Sequence, residues 1–194
     1  MNRESYLINA TKRLAKSVFA QAGIEVPSDV KVTCGFPVSG GAGSRKRTIG
    51  QCFNREASKA GVNEIFISPT ISNTYEVLGT LIHELVHAVD DCVNGHRGEF
   101  VRIADAVGLV GKPTQCGAEE GTELWTKLEK YIAKYGEYPH EELMVETKTQ
   151  GTRMIKIECS CGFKVRASRK VIEEIDPEHL QCWSCGETSL QIGG

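Results

Sequence analysis

The chain has 194 residues, of which 40% are hydrophobic and 25% charged, with a formal net charge of −2. This is a globular composition, long enough for one sizeable core and a small appendage. No run of roughly eighteen apolar residues occurs, and the opening MNRESYLINATKRLAKSVF breaks its apolar positions with charges. Neither a membrane span nor a signal peptide is read, and the expectation is a soluble, cytoplasmic protein with no membrane partner.

The small net charge hides an asymmetry. Residues 1–60 carry ten Lys/Arg against four Asp/Glu, residues 61–145 six against fourteen, and residues 146–194 seven against seven. A basic start before an acidic middle admits a polyanionic partner without requiring one.

Leu7, Leu14, Val18 and Ala22, flanked by Ile8, Ala15 and Phe19, recur at helical spacing. Gly23 and Pro27 supply the stop. Val30, Val32, Cys34 and Phe36 then alternate as in a strand, and Ile49 to Phe53 and Glu64 to Ser68 read as two more. A small mixed or antiparallel sheet follows. Between the first two strands, PVSGGAGSRKRT lacks the Gly-Lys-Ser/Thr ending of a P-loop. It reads as a loop with a basic tip, Arg45, Lys46 and Arg47, with contact to a DNA backbone as the sharper alternative.

Asn73, with Glu76 three residues on, opens the next helix as a capping box. Val77, Leu78, Leu81, Ile82, Leu85, Val86 and Val89 form its apolar stripe, while Glu76, Thr80, His83 and His87 share another face. Asn94-Gly95 can end it. Phe100, Ile103, Ala104 and Val107 then predict a helix stopped by Gly108, and Leu124, Leu128, Tyr131 and Tyr135 another stopped by Gly136.

Three of the five histidines lie in HELVHAVDDCVNGHRGEF, which opens on the HExxH pattern. Residues four apart on a helix are separated by about 40° and one turn, so His83 and His87 can aim at one ion. Glu84 sits beside them, free to take a proton from a zinc-bound water attacking a carbonyl. A catalytic zinc wants a third ligand, and His96 is the candidate. On an unbroken helix His96 would lie about 13 Å further along and on the opposite face from His87, so a reversal is required, and Asn94-Gly95 is placed to make it. Asp90 or Asp91 could orient a ligand, although solvated carboxylates account for both. Arg97, Tyr138 and His140 are candidates for stabilising an oxyanion.

HELVHA followed by GHRGEF, with its His-x-x-x-Phe spacing, resembles the SprT-like metallopeptidases, which include the Spartan DNA-dependent proteases and small bacteriophage-encoded members. The resemblance implies a minimal zincin-like domain with zinc on His83, His87 and His96 and with Glu84 as the catalytic glutamate. It also implies DNA-associated protein as a substrate and, for a phage member, the host cytoplasm as the location. The connection between His87 and His96 is shorter here than in the Spartan and bacterial SprT members, so the cleft need not have the same shape.

ECSCGF and QCWSCGE place Cys159, Cys161, Cys182 and Cys185 in two tight pairs twenty residues apart. Four thiolates so spaced predict a closed structural zinc site, a zinc ribbon, and this tail resembles that of bacterial SprT proteins. Lys164, Arg166, Arg169 and Lys170, with Phe163 or Trp183 stacking, are candidates for nucleic-acid contact. Cys34, Cys52, Cys92 and Cys116 read as free, mostly buried thiols.

The expected architecture is α+β: a zincin-like domain over residues 1–138, with a small sheet and the HExxH helix, a linker over 139–151, and a four-cysteine zinc ribbon over 152–194. The expected function is a zinc-dependent endopeptidase with one catalytic and one structural zinc, in which the strand near Glu64 to Ser68 serves as an edge that aligns an extended protein or peptide substrate. The alternatives are a non-enzymatic nucleic-acid adaptor whose histidine site is structural, and a zinc hydrolase acting on a non-peptide bond.

Overall fold

The computed structural model describes residues 2–38, 48–145, 154–175, 179–188 and 190–193. The basic tip Arg45–Arg47 and the last part of the expected linker lie outside them. The chain forms two compact units, Met1–Thr147 and Lys148–Gly194, of mixed α and β structure. No helix among the described residues is long and apolar enough to cross a membrane.

In the first unit, helix α1 (Arg3–Leu14) opens where the Asn2 side chain accepts the Ser5 N–H, and it buries Tyr6, Leu7, Ala10 and Leu14. The chain continues through a π-helical turn, Ala15–Phe19, which buries Val18 and Phe19, and Gly23 ends it in the left-handed conformation at φ 71°. Ile8, expected to flank the apolar face, is 44% exposed.

Strands β1 (Lys31–Cys34), β2 (Gly50–Phe53) and β3 (Glu64–Ile67) make the sheet. Its order is β1-β3-β2, with β1 parallel and β2 antiparallel to β3, so it is mixed. The strand at Glu64 to Ser68 is therefore central and not an edge. Its Ile65 and Ile67 are completely buried, and a strand that pairs on both sides cannot offer backbone groups to a substrate. The outer strand beside the histidine helix is β2. Phe36 lies beyond the end of β1 and is 40% exposed.

Helix α2 (Thr74–Val89) begins where the Asn73 side chain accepts the N–H groups of Tyr75 and Glu76. Leu78, Leu81, Ile82, Leu85 and Val86 are fully buried in the core shared with α1 and the sheet. The predicted polar face is buried as well, apart from Glu76, because other elements cover it. Helices α3 (Glu99–Ala106) and α4 (Glu123–Tyr135) follow, each with the stop glycine the sequence predicts: Gly108 at φ 85° and Gly136 at φ 86°.

Tyr6 joins the ends of this unit. Its ring meets Tyr131 and Tyr138 edge-on at 5.8 and 5.5 Å, and its hydroxyl donates to the Gly136 carbonyl at 3.0 Å. The Tyr138 N–H donates to the Thr74 hydroxyl at 3.0 Å, and the Leu143 N–H to the Pro69 carbonyl at 2.8 Å. The first residues of the expected linker are thus tied to the first unit, which extends past residue 138.

The second unit pairs β4 (Met154–Glu158) with β5 (Lys164–Ser168) and with β6 (Gln191–Gly193), both antiparallel, and adds the short helix α5 (Arg169–Glu174). Its buried apolar side chains among the described residues are few, Ile157, Cys159 and Cys182. So small a core needs another source of stability.

Candidate metal centres

Helix α2 does not run to Asn94-Gly95 but stops at Val89, and the reversal starts there. Asp91 and Cys92 adopt positive φ, 46° and 59°. The Cys92 N–H closes on the His87 carbonyl at 2.8 Å, and the Asp90 carboxylate accepts the Asn94 N–H and side-chain amide at 2.8 and 2.7 Å. Gly95, at φ 55°, completes a reversal that began earlier. Asp90 holds the loop, whereas Asp91 accepts from the Arg55 N–H at 2.9 Å and the Asn63 amide at 2.8 Å. Neither carboxylate is hydrogen-bonded to a histidine in these contacts.

The turn returns His96 to α2. Its Nε2 lies 3.2 Å from the Nε2 of both His83 and His87, and the three form a group able to hold a metal ion. Nitrogens bound about 2.05 Å from one ion at tetrahedral angles are about 3.3 Å apart, so the spacing fits. The His83 Nδ1 faces the Cys116 carbonyl at 3.2 Å, which keeps the proton on Nδ1 and turns the Nε2 lone pair to the centre. Burial drives His83 down to about 4 and His87 to about 3, and lowers His96, so the imidazoles stay neutral and able to bind metal. Phe100, fully buried, sets its ring 5.1, 4.4 and 5.0 Å from those of His83, His87 and His96. That contact gives the His-x-x-x-Phe spacing a physical role: α3 brings an apolar floor under all three imidazoles.

Glu84 is 5% exposed. Burial raises its carboxyl to about 8, helped by Cys92 and opposed by the Cys52 backbone N–H. Gly50 makes this approach of β2 to α2 fit. A Cβ there would stand 2.5 Å from the Glu84 Oε1 and 2.6 Å from the Thr80 Cγ2. Glu84 and the three histidines share a cavity of about 650 Å³ walled by β2 and by the segment Thr114 to Cys116. Arg97, Tyr138 and His140 do not line it; His140 binds the Pro69 carbonyl at 2.9 Å. Thr48, Gln51, Thr80, Thr114 and Gln115 give it polar walls instead. The sequence carried no motif for Gly50 or Cys116, because their roles depend on contacts made across the fold.

In the second unit, Cys159, Cys161, Cys182 and Cys185 converge as a second group able to hold a metal ion. The Sγ atoms of Cys159 and Cys185 are 3.6 Å apart and those of Cys161 and Cys182 3.7 Å, near the roughly 3.8 Å expected of tetrahedral Zn–S bonds. The Phe163 backbone N–H helps to lower the Cys161 thiol to about 7. Three of the four basic residues considered for nucleic acid lie within ion-pair distance of a carboxylate: Lys164 of Glu158 at 2.8 Å and, in exposed pairs, Arg169 of Glu173 at 4.0 Å and Lys170 of Glu174 at 3.7 Å. Trp183 is 94% exposed and Phe163 37%.

No family model, curated protein or solved structure matches this chain, so the meaning of both centres rests on their own geometry.

Proposed function

We propose that the first unit is a zinc-dependent endopeptidase and that the cysteine cluster is a structural zinc site. The observation that carries the reading is the convergence of three neutral imidazoles on one point beside a buried carboxyl, in a cavity bordered by an outer strand. His83, His87 and His96 would hold the ion and leave its fourth position to the cavity. When bound, zinc supplies Lewis-acid polarisation of a carbonyl and lowers the pKa of water.

Glu84 does the proton chemistry. Its carboxyl sits where burial brings its proton affinity near neutrality, so it can accept a proton from the attacking water and return it to the leaving amine. Strand β2, an outer strand among the described residues, replaces β3 as the element that would align an extended peptide. The resemblance to SprT-like enzymes adds DNA-associated protein as the substrate to try first. The adaptor reading draws less support, because residues 146–194 carry seven basic residues against seven acidic ones, which leaves no net positive charge for a polyanion.

The test is Glu84→Gln, measured for zinc content and for cleavage of a denatured protein and of a DNA-bound one. The expected variant keeps its zinc and loses at least about a hundredfold in rate. Cleavage at the wild-type rate by a variant that holds zinc would remove the assignment.

A further inference from the structure

We infer that Cys52 and Cys92 form an oxidation site, a dithiol that closes to a disulfide and tethers the turn carrying His96 to strand β2. This goes beyond the peptidase reading and rests only on the histidines being a metal centre.

Both thiols line the cavity that holds Glu84, Cys52 from β2 and Cys92 from the turn after α2. The Cys92 Sγ lies 3.6 Å from the Cys52 carbonyl, which brings the two residues to neighbouring positions on the cavity wall. Cys92 is not free to drift: its N–H is bound to the His87 carbonyl at 2.8 Å and its φ is 59°. Cys116, the third thiol of the cavity, is taken up elsewhere, with its Sγ 3.3 Å from the His83 Nδ1 and 3.5 Å from the Pro113 carbonyl. Two neighbouring thiols, carried by different elements and open to one cavity, are placed to close a disulfide.

Either thiol can open the reaction and the product is the same; with Cys92 attacking, Cys52 resolves. The co-reactant is a hydroperoxide. The Cys92 thiolate attacks the O–O bond, an S–O bond forms, and the alcohol or water leaves. The Cys52 sulfur then attacks that sulfenic sulfur, the S–S bond forms and the oxygen departs as water with the Cys52 proton. In sum, two thiols and one hydroperoxide give a disulfide, one alcohol or water, and one water.

The link would span residues 52 to 92, enclosing β3 and α2. Metal release requires His96 to swing away from the other two imidazoles, and His96 rides on the turn that Cys92 belongs to. Tethering that turn to the sheet restricts the swing, so oxidation slows the loss of metal.

The test treats the zinc-loaded full chain with a slight excess of hydrogen peroxide. Peptide mapping is expected to find Cys52 joined to Cys92, about 2 Da lighter and reversed by dithiothreitol. Zinc release from the histidine site to a chelator is expected to slow at least fivefold. Cys92→Ser and Cys52→Ser should each abolish the link and the slowing, and since they alter different elements, a folding defect in one leaves the other to decide. Separate oxidation of the two cysteines, a link to Cys116, or a link that leaves zinc release unchanged would overturn the inference. A chain that forms the link yet binds no metal at its histidines would instead refute the metal-centre reading and with it the tether.

Discussion

The Nδ1 of His83 lies 3.2 Å from the backbone carbonyl oxygen of Cys116, and this contact fixes which nitrogen of the first HExxH histidine faces the centre. The carbonyl is main chain, so the Cys116 side chain is not needed for it. Cys116→Ala is expected to change zinc affinity by less than about tenfold, below the roughly 10–100-fold typical of losing such a partner. His96→Ala should reduce the metal content from two zincs per chain to one. Competition with a chromophoric chelator reads both, and an affinity loss of a hundredfold in Cys116→Ala would assign the orienting role to the thiol.

The raised carboxyl of Glu84 makes a pH-dependent prediction for the metal-free chain. Unfolded, a glutamate ionises near 4.5, while in the fold it keeps its proton to about 8. The native state therefore binds the extra proton, and stability falls as pH rises between those values. At about 1.4 kcal/mol per pH unit the loss is at most about 5 kcal/mol by pH 8. Glu84→Gln removes this titration, so the metal-free variant should melt higher than wild type at pH 8 and nearly level with it at pH 5. The depressed histidines act in the other direction, destabilising as pH falls below 6.5, but they are common to both proteins and cancel. Equal melting temperatures across this range would show that Glu84 is solvated.

Gly50 lets β2 lie close against α2. A methyl at that position meets the Glu84 and Thr80 side chains inside contact distance, and both are buried. Gly50→Ala is expected to destabilise the first unit by about 1–3 kcal/mol, the usual cost of overpacking, and to displace Glu84. Urea unfolding measures the first effect. A neutral result would mean that β2 can move away from α2 at little cost.

Much of this arrangement was legible because it is local. HExxH sets two of the three converging histidines by helical periodicity, the cysteine pairs announce themselves by spacing, and Asn73, Gly108 and Gly136 mark helix ends by their own conformational preferences. What escaped depends on long-range pairing. That β3 is central and β2 outer is decided by register between strands whose sequences look alike. The early stop of α2 is of the same kind. Aspartate tolerates positive φ and cysteine rarely adopts it; Asp91 and Cys92 hold it here because Asn63, Arg55 and the His87 carbonyl fix them from outside the segment. The burial of Glu84 likewise followed from Gly50, remote in sequence.

The second unit tests where its stability comes from. With few buried apolar side chains among the described residues and four converging thiols, its folding free energy should be supplied mainly by metal, as it is in small zinc modules. Cys182 is 2% exposed and contacts Cys161, so Cys182→Ser removes a ligand and leaves a polar group in its place. The variant is expected to lose one zinc and the protection of β4 and β5 from hydrogen exchange, while α2 keeps its protection and the first unit its melting temperature. Chelation should do the same to the ribbon of the wild-type chain. Protected strands in a zinc-free ribbon would mean that the antiparallel sheet suffices without the ion.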